Sequence, residues 1–282
     1  MRRVRLVVTV AGAAAAIVLA SGLVAAKPVS LEYQVLNGGR LSSWDSDNDD
    51  GGCELSGYAG VSDGWIGPEG DDLMDDAFDG GAVFGIEGVG YSDPDGIGNK
   101  VGDSLASGPR TMSGLRVSRV DRALPKSPTL RTLMTLRNNG NTPQTVEITW
   151  DANLGSDGSE EVRRSASGDA VYALGDRWVI SSDDPTTPGD PVLTHVLFGK
   201  GKVRSKTTEI VNQPEGTGCF TVRSMVRVPR KQTRYLLFFI EMNRTHNASF
   251  NSARKFNKRG LNKSLLRGIR PAIRGDILNW KL

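Results

Sequence analysis

Histidine and cysteine are almost missing from this chain, with two of each in 282 residues. The only imidazoles are His195 and His246, and the only thiols are Cys53 and Cys219. A zinc ribbon needs four such ligands at close spacing, so it is excluded. A serine hydrolase needs a strained Gly-x-Ser-x-Gly elbow and a histidine base, and that pentapeptide does not occur. No phosphate loop and no dinucleotide fingerprint occurs either. His195 sits in the apolar run Thr194-His195-Val196-Leu197, which makes it a core residue. His246 sits in the polar run Asn243-Arg244-Thr245-His246-Asn247, which makes it an exposed one. No catalytic residue is assigned.

Acids are scarce in one part of the chain. From Thr221 onward only Glu241 and Asp276 are acidic, against fifteen Lys and Arg between Arg223 and Lys281. The first third of the chain is the reverse, crowded with Asp45, Asp47, Asp49, Asp50, Glu54, Asp71, Asp72, Asp75, Asp76 and Asp79. The formal net charge of +3 therefore hides a segregation. Such a segregation either presents a basic surface to an anionic partner or lets the two ends neutralise each other.

Charge is also absent from Leu6 to Ala26, directly after Met1-Arg2-Arg3-Val4-Arg5. Basic residues, an apolar stretch and small residues at Val24 and Ala26 form the three regions of a secretory signal peptide. The expectation is cleavage after Ala26 and a protein that is secreted or held at the cell surface. A membrane would matter only for export or through an uncleaved leader. Two cysteines in an exported chain predict a Cys53–Cys219 disulfide. The mature chain, residues 27–282, is expected to be one large domain, or two tightly joined lobes with a boundary near residue 110.

Glycine is plentiful, 34 residues, and suits many short strands and turns. Leu31 to Leu36 alternates apolar and polar side chains, as do Leu115 to Val120 and Gln144 to Trp150, and Leu130 to Leu136 reads as a strand. Leu130–Leu136 and Gln144–Trp150 flank an Asn-Gly turn region and predict an antiparallel hairpin. Phe220 to Val228 and Thr233 to Met242 are longer and more apolar, with a turn at Pro229–Gln232. Residues 243–263 read as a polar, mobile connection. Ser264 to Ile269 and Ala272 to Trp280 have helical apolar spacing interrupted by Pro271. Leu265, Leu266, Ile269, Ile273, Ile277 and Trp280 then form an apolar face that docks on the sheets while the arginines point outward. The fold class is all-β: an antiparallel β-sandwich, of the large two-sheet kind at its fullest extent, with one or two short C-terminal helices.

Asp45-Ser46-Asp47-Asn48-Asp49-Asp50-Gly51 alternates carboxylates in a loop, as a calcium site requires. Its glycine falls one place late for the EF-hand pattern and no acid stands at the twelfth position, so a solvated acidic loop is the competing reading. Asp45, Asp47 and Asp49 are the candidate calcium ligands. Trp44 and Trp65 lie among acidic residues and are the candidate surface rings for stacking on a sugar, whereas Trp150 and Trp178 lie in strands and belong to the core.

Asn153-Leu154-Gly155-Ser156-Asp157, Ser165-Ala166-Ser167-Gly168-Asp169, Asp176-Arg177-Trp178-Val179 and Asp183-Asp184 follow one another in turns where Asn, Asp and Ser bond their own backbone. In this order they resemble the motif series of a family of exported bacterial β-rich proteins. The resemblance covers roughly residues 113–201, with Ile277-Leu278-Asn279-Trp280 also similar. It implies export and a β-sandwich-like domain, and no particular activity. Leu36-Asn37-Gly38-Gly39 before Leu41-Ser42-Ser43-Trp44 is similar to the opening of the two-sheet sandwich of aldose epimerases. That likeness implies a sugar-active relative with histidines and an acidic base, which this chain's two histidines do not supply. The function expected is a non-catalytic β-sandwich protein for binding or adhesion, with a carbohydrate-active enzyme or sugar-recognition lobe as the alternative. The expected partners are an extracellular glycan or an anionic cell-wall polymer, with no specific nucleic acid.

Overall fold

The computed structural model describes residues 26–282 apart from 32–33, 39–42, 47–51, 56–59, 62, 68–73 and 93–94. The strands among them are β1 (Lys27–Ser30), β2 (Gln34–Asn37), β3 (Ser43–Ser46), β4 (Asp63–Trp65), β5 (Phe78–Ile86), β6 (Val89–Gly90), β7 (Ile97–Val101), β8 (Ser104–Met112) and β9 (Leu115–Leu124). They continue with β10 (Thr129–Asn138), β11 (Gln144–Leu154), β12 (Glu161–Ser165), β13 (Trp178–Ser182), β14 (Val192–Val196), β15 (Glu209–Asn212), β16 (Cys219–Val228) and β17 (Thr233–Asn243). Two short helices follow, α1 (His246–Ala253) and α2 (Pro271–Arg274).

The strands form a nine-stranded sheet, β1-β7-β8-β9-β10-β17-β14-β13-β12, and a five-stranded sheet, β15-β16-β11-β5-β6. Strands β2, β3 and β4 make a small third sheet. Every strand pairing is antiparallel. The protein is thus an all-β sandwich. Its principal core lies between the two large sheets and runs from Leu31 to Leu278. Trp150 of the smaller sheet stacks on Phe238 of the larger one at 4.4 Å between ring centres. His195 packs there against Phe78 and Phe220.

The sequence placed strands at β10 and β11, but the two do not pair with each other. Strand β10 lies between β9 and β17, whereas β11 lies between β5 and β16 in the other sheet. The connection is a corner, and its reason is Asn138. This fully buried amide donates to Thr142 O at 2.8 Å and to Val228 O at 3.1 Å, and its oxygen accepts from Gly140 N at 2.8 Å. The Pro229–Gln232 turn makes a second corner beside it, tied by Asn138 N to Gln232 O at 2.9 Å. Turn chemistry that suits a hairpin also suits a change of sheet, and side-chain alternation alone does not separate them.

The C-terminal region also differs from expectation. Residues 243–263 include α1, capped by Thr245, whose hydroxyl accepts from Ala248 N at 3.2 Å. Residues 263–268 are turns rather than a helix, and α2 is a single turn with Pro271 at its start. Gly268 at φ +81° and the proline three residues later stop any longer helix.

Candidate functional site

The outer face of the nine-stranded sheet carries a second apolar cluster: Leu124, Trp178, Ile180, Val192, Val196, Leu237 and Phe239. The chain after β17 folds back and covers it with Ala253, Phe256, Leu265, Leu266, Ile269, Ile277 and Trp280. Ile277 is fully buried and Trp280 is 4 % exposed, as the helical spacing of the sequence suggested. The docking is polar as well as apolar. Strand β14 pairs only with the far part of β17, Phe239 to Asn243. Residues 276–278 run along the uncovered part, with Tyr235 N donating to Asp276 O and Leu278 N to Tyr235 O. The Asn279 amide then donates to Leu197 O and Leu237 O, at 2.7 and 2.8 Å, and accepts from Leu237 N at 2.9 Å. Trp280 Nε1 donates to Leu237 O at 2.7 Å.

With its apolar side consumed, this segment turns cations to solvent. Arg254, Lys258, Arg259, Lys263, Arg267, Arg270 and Lys281 are all exposed. Two acids within the region are already engaged. Asp276 pairs with Arg234 at 2.9 Å, and the fully buried Glu241 is bound by Lys255 and by Thr129. The rings Phe256 and Trp280 face the sheet, and Phe250 lies under the Arg164 guanidinium at 3.8 Å. The outer face of the segment therefore offers charge and hydrogen-bond donors, with little stacking surface.

The other candidate residues are placed as follows. Cys53 and Cys219 form a disulfide with Cα atoms 5.7 Å apart. Beside it the buried Asp151 accepts from Glu54 N and Leu55 N, both at 2.8 Å, and from Thr221, which pins residues 52–55 to β11. Trp44 and Trp65 are not surface rings. Trp44 is fully buried, beside Gly64, and Trp65 is 9 % exposed. Asp47 and Asp49 lie outside the described residues, as do the side chain of Asp45 and the signal segment up to residue 25. Among the described residues no three His, Cys, Asp or Glu groups converge to hold a metal ion.

The motif residues are pins of the fold. Gly155 lies against Asp76, where a Cβ would stand 2.1 Å from the Asp76 carbonyl oxygen. Ser156 donates to Asp190 at 2.8 Å. The Asp176 carboxylate accepts from Ser167 N and Ala173 N, at 2.7 and 3.0 Å, and holds the second motif loop. Acids crowd where these loops meet. Burial raises Glu160 to about 7, with Asp183 and Asp190 adding to the rise. Burial and then Asp190, Asp79, Asp63 and Asp75 raise Asp76 to about 6.

His195 is fully enclosed, and burial lowers it to about 3. His246 Nε2 lies 2.7 Å from Ser182 Oγ, a pairing across 64 residues that the sequence did not reveal. Ser182 is 1 % exposed and also accepts from Arg163 Nε at 3.1 Å, so the pair serves packing. A cavity between the sheets, lined by Ile148, Trp150, Ser205, Val222, Leu236 and Phe238 among others, amounts to about 10 Å³. That is room for about one water molecule and none for a sugar ring.

No family model matches the chain, and no curated protein sequence matches it. Solved structures do. A polysaccharide lyase is 11 % identical over 75 % of this chain and 34 % of its own, with a TM-score of 0.43. Heparinase III is 12 % identical over 78 % of this chain and 37 % of its own, also at 0.43. A galactose mutarotase related enzyme from Lactobacillus acidophilus is 8 % identical over 76 % of this chain and 98 % of its own, at 0.40. The chain spans about a third of the length of the polysaccharide lyase and of heparinase III.

Proposed function

We propose that the protein is an exported, non-catalytic β-sandwich that binds an anionic polymer, an acidic glycan or cell-wall polymer, through the basic face of its C-terminal segment. The observation that carries this reading is the division of that segment. Its apolar side chains are spent on the sheet, while Arg254, Lys258, Arg259, Lys263, Arg267, Arg270 and Lys281 remain exposed. Like charges held on one face repel, and a polyanion relieves that repulsion as it binds. The leader-like residues 1–26 and the disulfide support an extracytosolic setting. An acidic glycan suits the face better than a nucleic acid, because single-stranded bases want exposed aromatic platforms and the rings here are turned inward.

An enzyme acting on carbohydrate would use a carboxylate such as Glu160, whose raised pKa fits a general acid. At 1 % exposure that group is sealed from any substrate, and Trp44 and Trp65 line no open cleft among the described residues. The binding reading is therefore preferred.

Retention of the mature chain on immobilised polygalacturonate tests it, with neutral dextran as control. Retention is expected on the acidic polymer alone and is expected to fall with salt, since exposed charges are screened over about 10 Å at 0.1 M. The triple substitution Lys258→Gln, Arg259→Gln, Lys263→Gln should elute at lower salt. Equal retention on both matrices, or unchanged elution of the variant, would remove the proposal.

A further inference from the structure

Arg122 of β9 and Arg131 of β10 stand directly opposite each other in the sheet register. Opposed side chains on adjacent antiparallel strands start about 5 Å apart, and like charges there repel. Both side chains reach the covering segment. Arg131 Nη1 donates to Leu265 O at 2.9 Å and to Arg267 O at 2.7 Å, and Arg122 Nη1 reaches Arg267 O at 3.5 Å. The Arg267 guanidinium is itself near enough to act electrostatically on Arg122. The Arg122 and Arg131 guanidiniums thus meet at the Arg267 carbonyl, with the Arg267 side chain near Arg122.

Arg131 is only 3 % exposed. Its Nε and that of Arg122 are buried and have no protein partner. Arg119 lies on β9 with Arg122. Arg119 is as deeply buried, and Asp121 meets it with both carboxylate oxygens, at 2.6 and 3.1 Å. On the outer face Asp103 acts on Arg122, whereas the charge that acts on Arg131 is that of Arg122. Burial first and Arg122 second push Arg131 down to about 9. Buried guanidiniums without a carboxylate are expensive unless an anion completes them. Arginine's planar fork matches a carboxylate, sulfate or phosphate with two parallel hydrogen bonds.

We propose that Arg122, Arg131 and Arg267 form a binding site for one oxyanion group, taken from the acidic polymer of the preceding reading, on which this inference rests. Arg131 is the floor, fixed by the carbonyls of Leu265 and Arg267. Arg122, half-buried, and Arg267, exposed, are the arms that contact the anion. The other exposed cations of the segment hold the rest of the polymer by diffuse attraction.

Calorimetric titration of the mature chain with inorganic sulfate, inorganic phosphate and monomeric galacturonate tests the site at constant ionic strength. Saturable one-to-one binding of at least one of them is expected, and the preferred anion identifies the group that the polymer carries. Arg122→Gln with Arg267→Gln should weaken that binding at least tenfold. Arg254→Gln with Lys258→Gln should leave it within twofold while weakening retention on polygalacturonate. The single variant Arg267→Gln, at an exposed position, gives the same answer at smaller amplitude if the double variant fails to fold. No saturable binding of any of the three anions, or undiminished binding by the arginine variants, would overturn the site. If the small anions bind here and the polymer is not retained, the site stands and the polymer reading falls. If the polymer is retained and the small anions do not bind, the polymer reading stands and the site falls.

Discussion

Glu160 gives one side chain's share of the pH response of this protein. Its carboxyl is 1 % exposed, and burial with Asp183 and Asp190 nearby raises it to about 7 from 4.5. An acid whose pKa is higher in the folded state binds its proton more tightly there, so it favours folding fully at low pH. That contribution is lost as pH rises from about 4.5 through about 7. The loss at pH 8 amounts to about 3 kcal/mol at most. Glu160→Gln should remove this dependence. The variant is expected to be more stable than the wild type at pH 8 and to lose that advantage below pH 5. Urea titrations at the two pH values measure it, and an equal difference at both would show that Glu160 does not titrate in this range. Asp151 is a buried acid of another kind. Its oxygens are occupied by Glu54 N, Leu55 N and Thr221, and it anchors a loop.

The C-terminal segment is the element on which both binding proposals depend. It holds to the outer sheet face through Phe256, Leu265, Ile269, Ile277 and Trp280, and it completes the free length of β17 with residues 276–278. Trp280 packs edge-on to Phe239, 5.6 Å between ring centres, and hydrogen-bonds Leu237. Trp280→Ala should therefore destabilise the protein by about 3–5 kcal/mol, the usual range for emptying a buried aromatic site. Denaturant unfolding followed by circular dichroism gives the value. A change below about 1 kcal/mol, within the range of surface substitutions, would mean that the segment is not docked in solution, and the placement of its cations would need to be redrawn.

At the scale of the whole molecule, the Cys53–Cys219 disulfide joins two regions 166 residues apart in sequence. It fastens the segment before β4 to the start of β16, where Arg223 also meets Glu54 at 3.7 Å. Closing so long a loop restricts the unfolded chain, and the chain-entropy model gives about 3–5 kcal/mol. Cys53→Ser with Cys219→Ser should lower the melting temperature by several degrees while leaving the circular dichroism of the sheets unchanged. An unaltered melting temperature would show that the constraint adds nothing to stability. The same substitution should leave polymer retention intact, since the basic face is built on the outer side of the other sheet.

The sequence by itself determined the β-sandwich class, most of the long strands, the disulfide pair, the inward turn of Ile277 and Trp280 and the outward turn of the cations. Those features rest on local alternation, on the spacing of apolar residues near the C-terminus, on a pair of cysteines with no other choice, and on composition. Tertiary structure decided which strands pair. Strands β10 and β11 look like a hairpin until Asn138 is seen bonding across to Val228. It also decided that Trp44 is core, since acidic neighbours in sequence do not say which way a strand side chain faces. The helix at His246–Ala253 was missed because a Thr cap in a polar stretch is a weak signal without Val192, whose carbonyl accepts from Ser249. Arg122 and Arg131 each sit at ordinary polar positions of their strands. Only register puts them face to face, and only the returning C-terminal segment buries one of them. A binding site made of residues far apart in the chain exists through pairing and docking, and those are set by packing across sheets rather than by any local pattern.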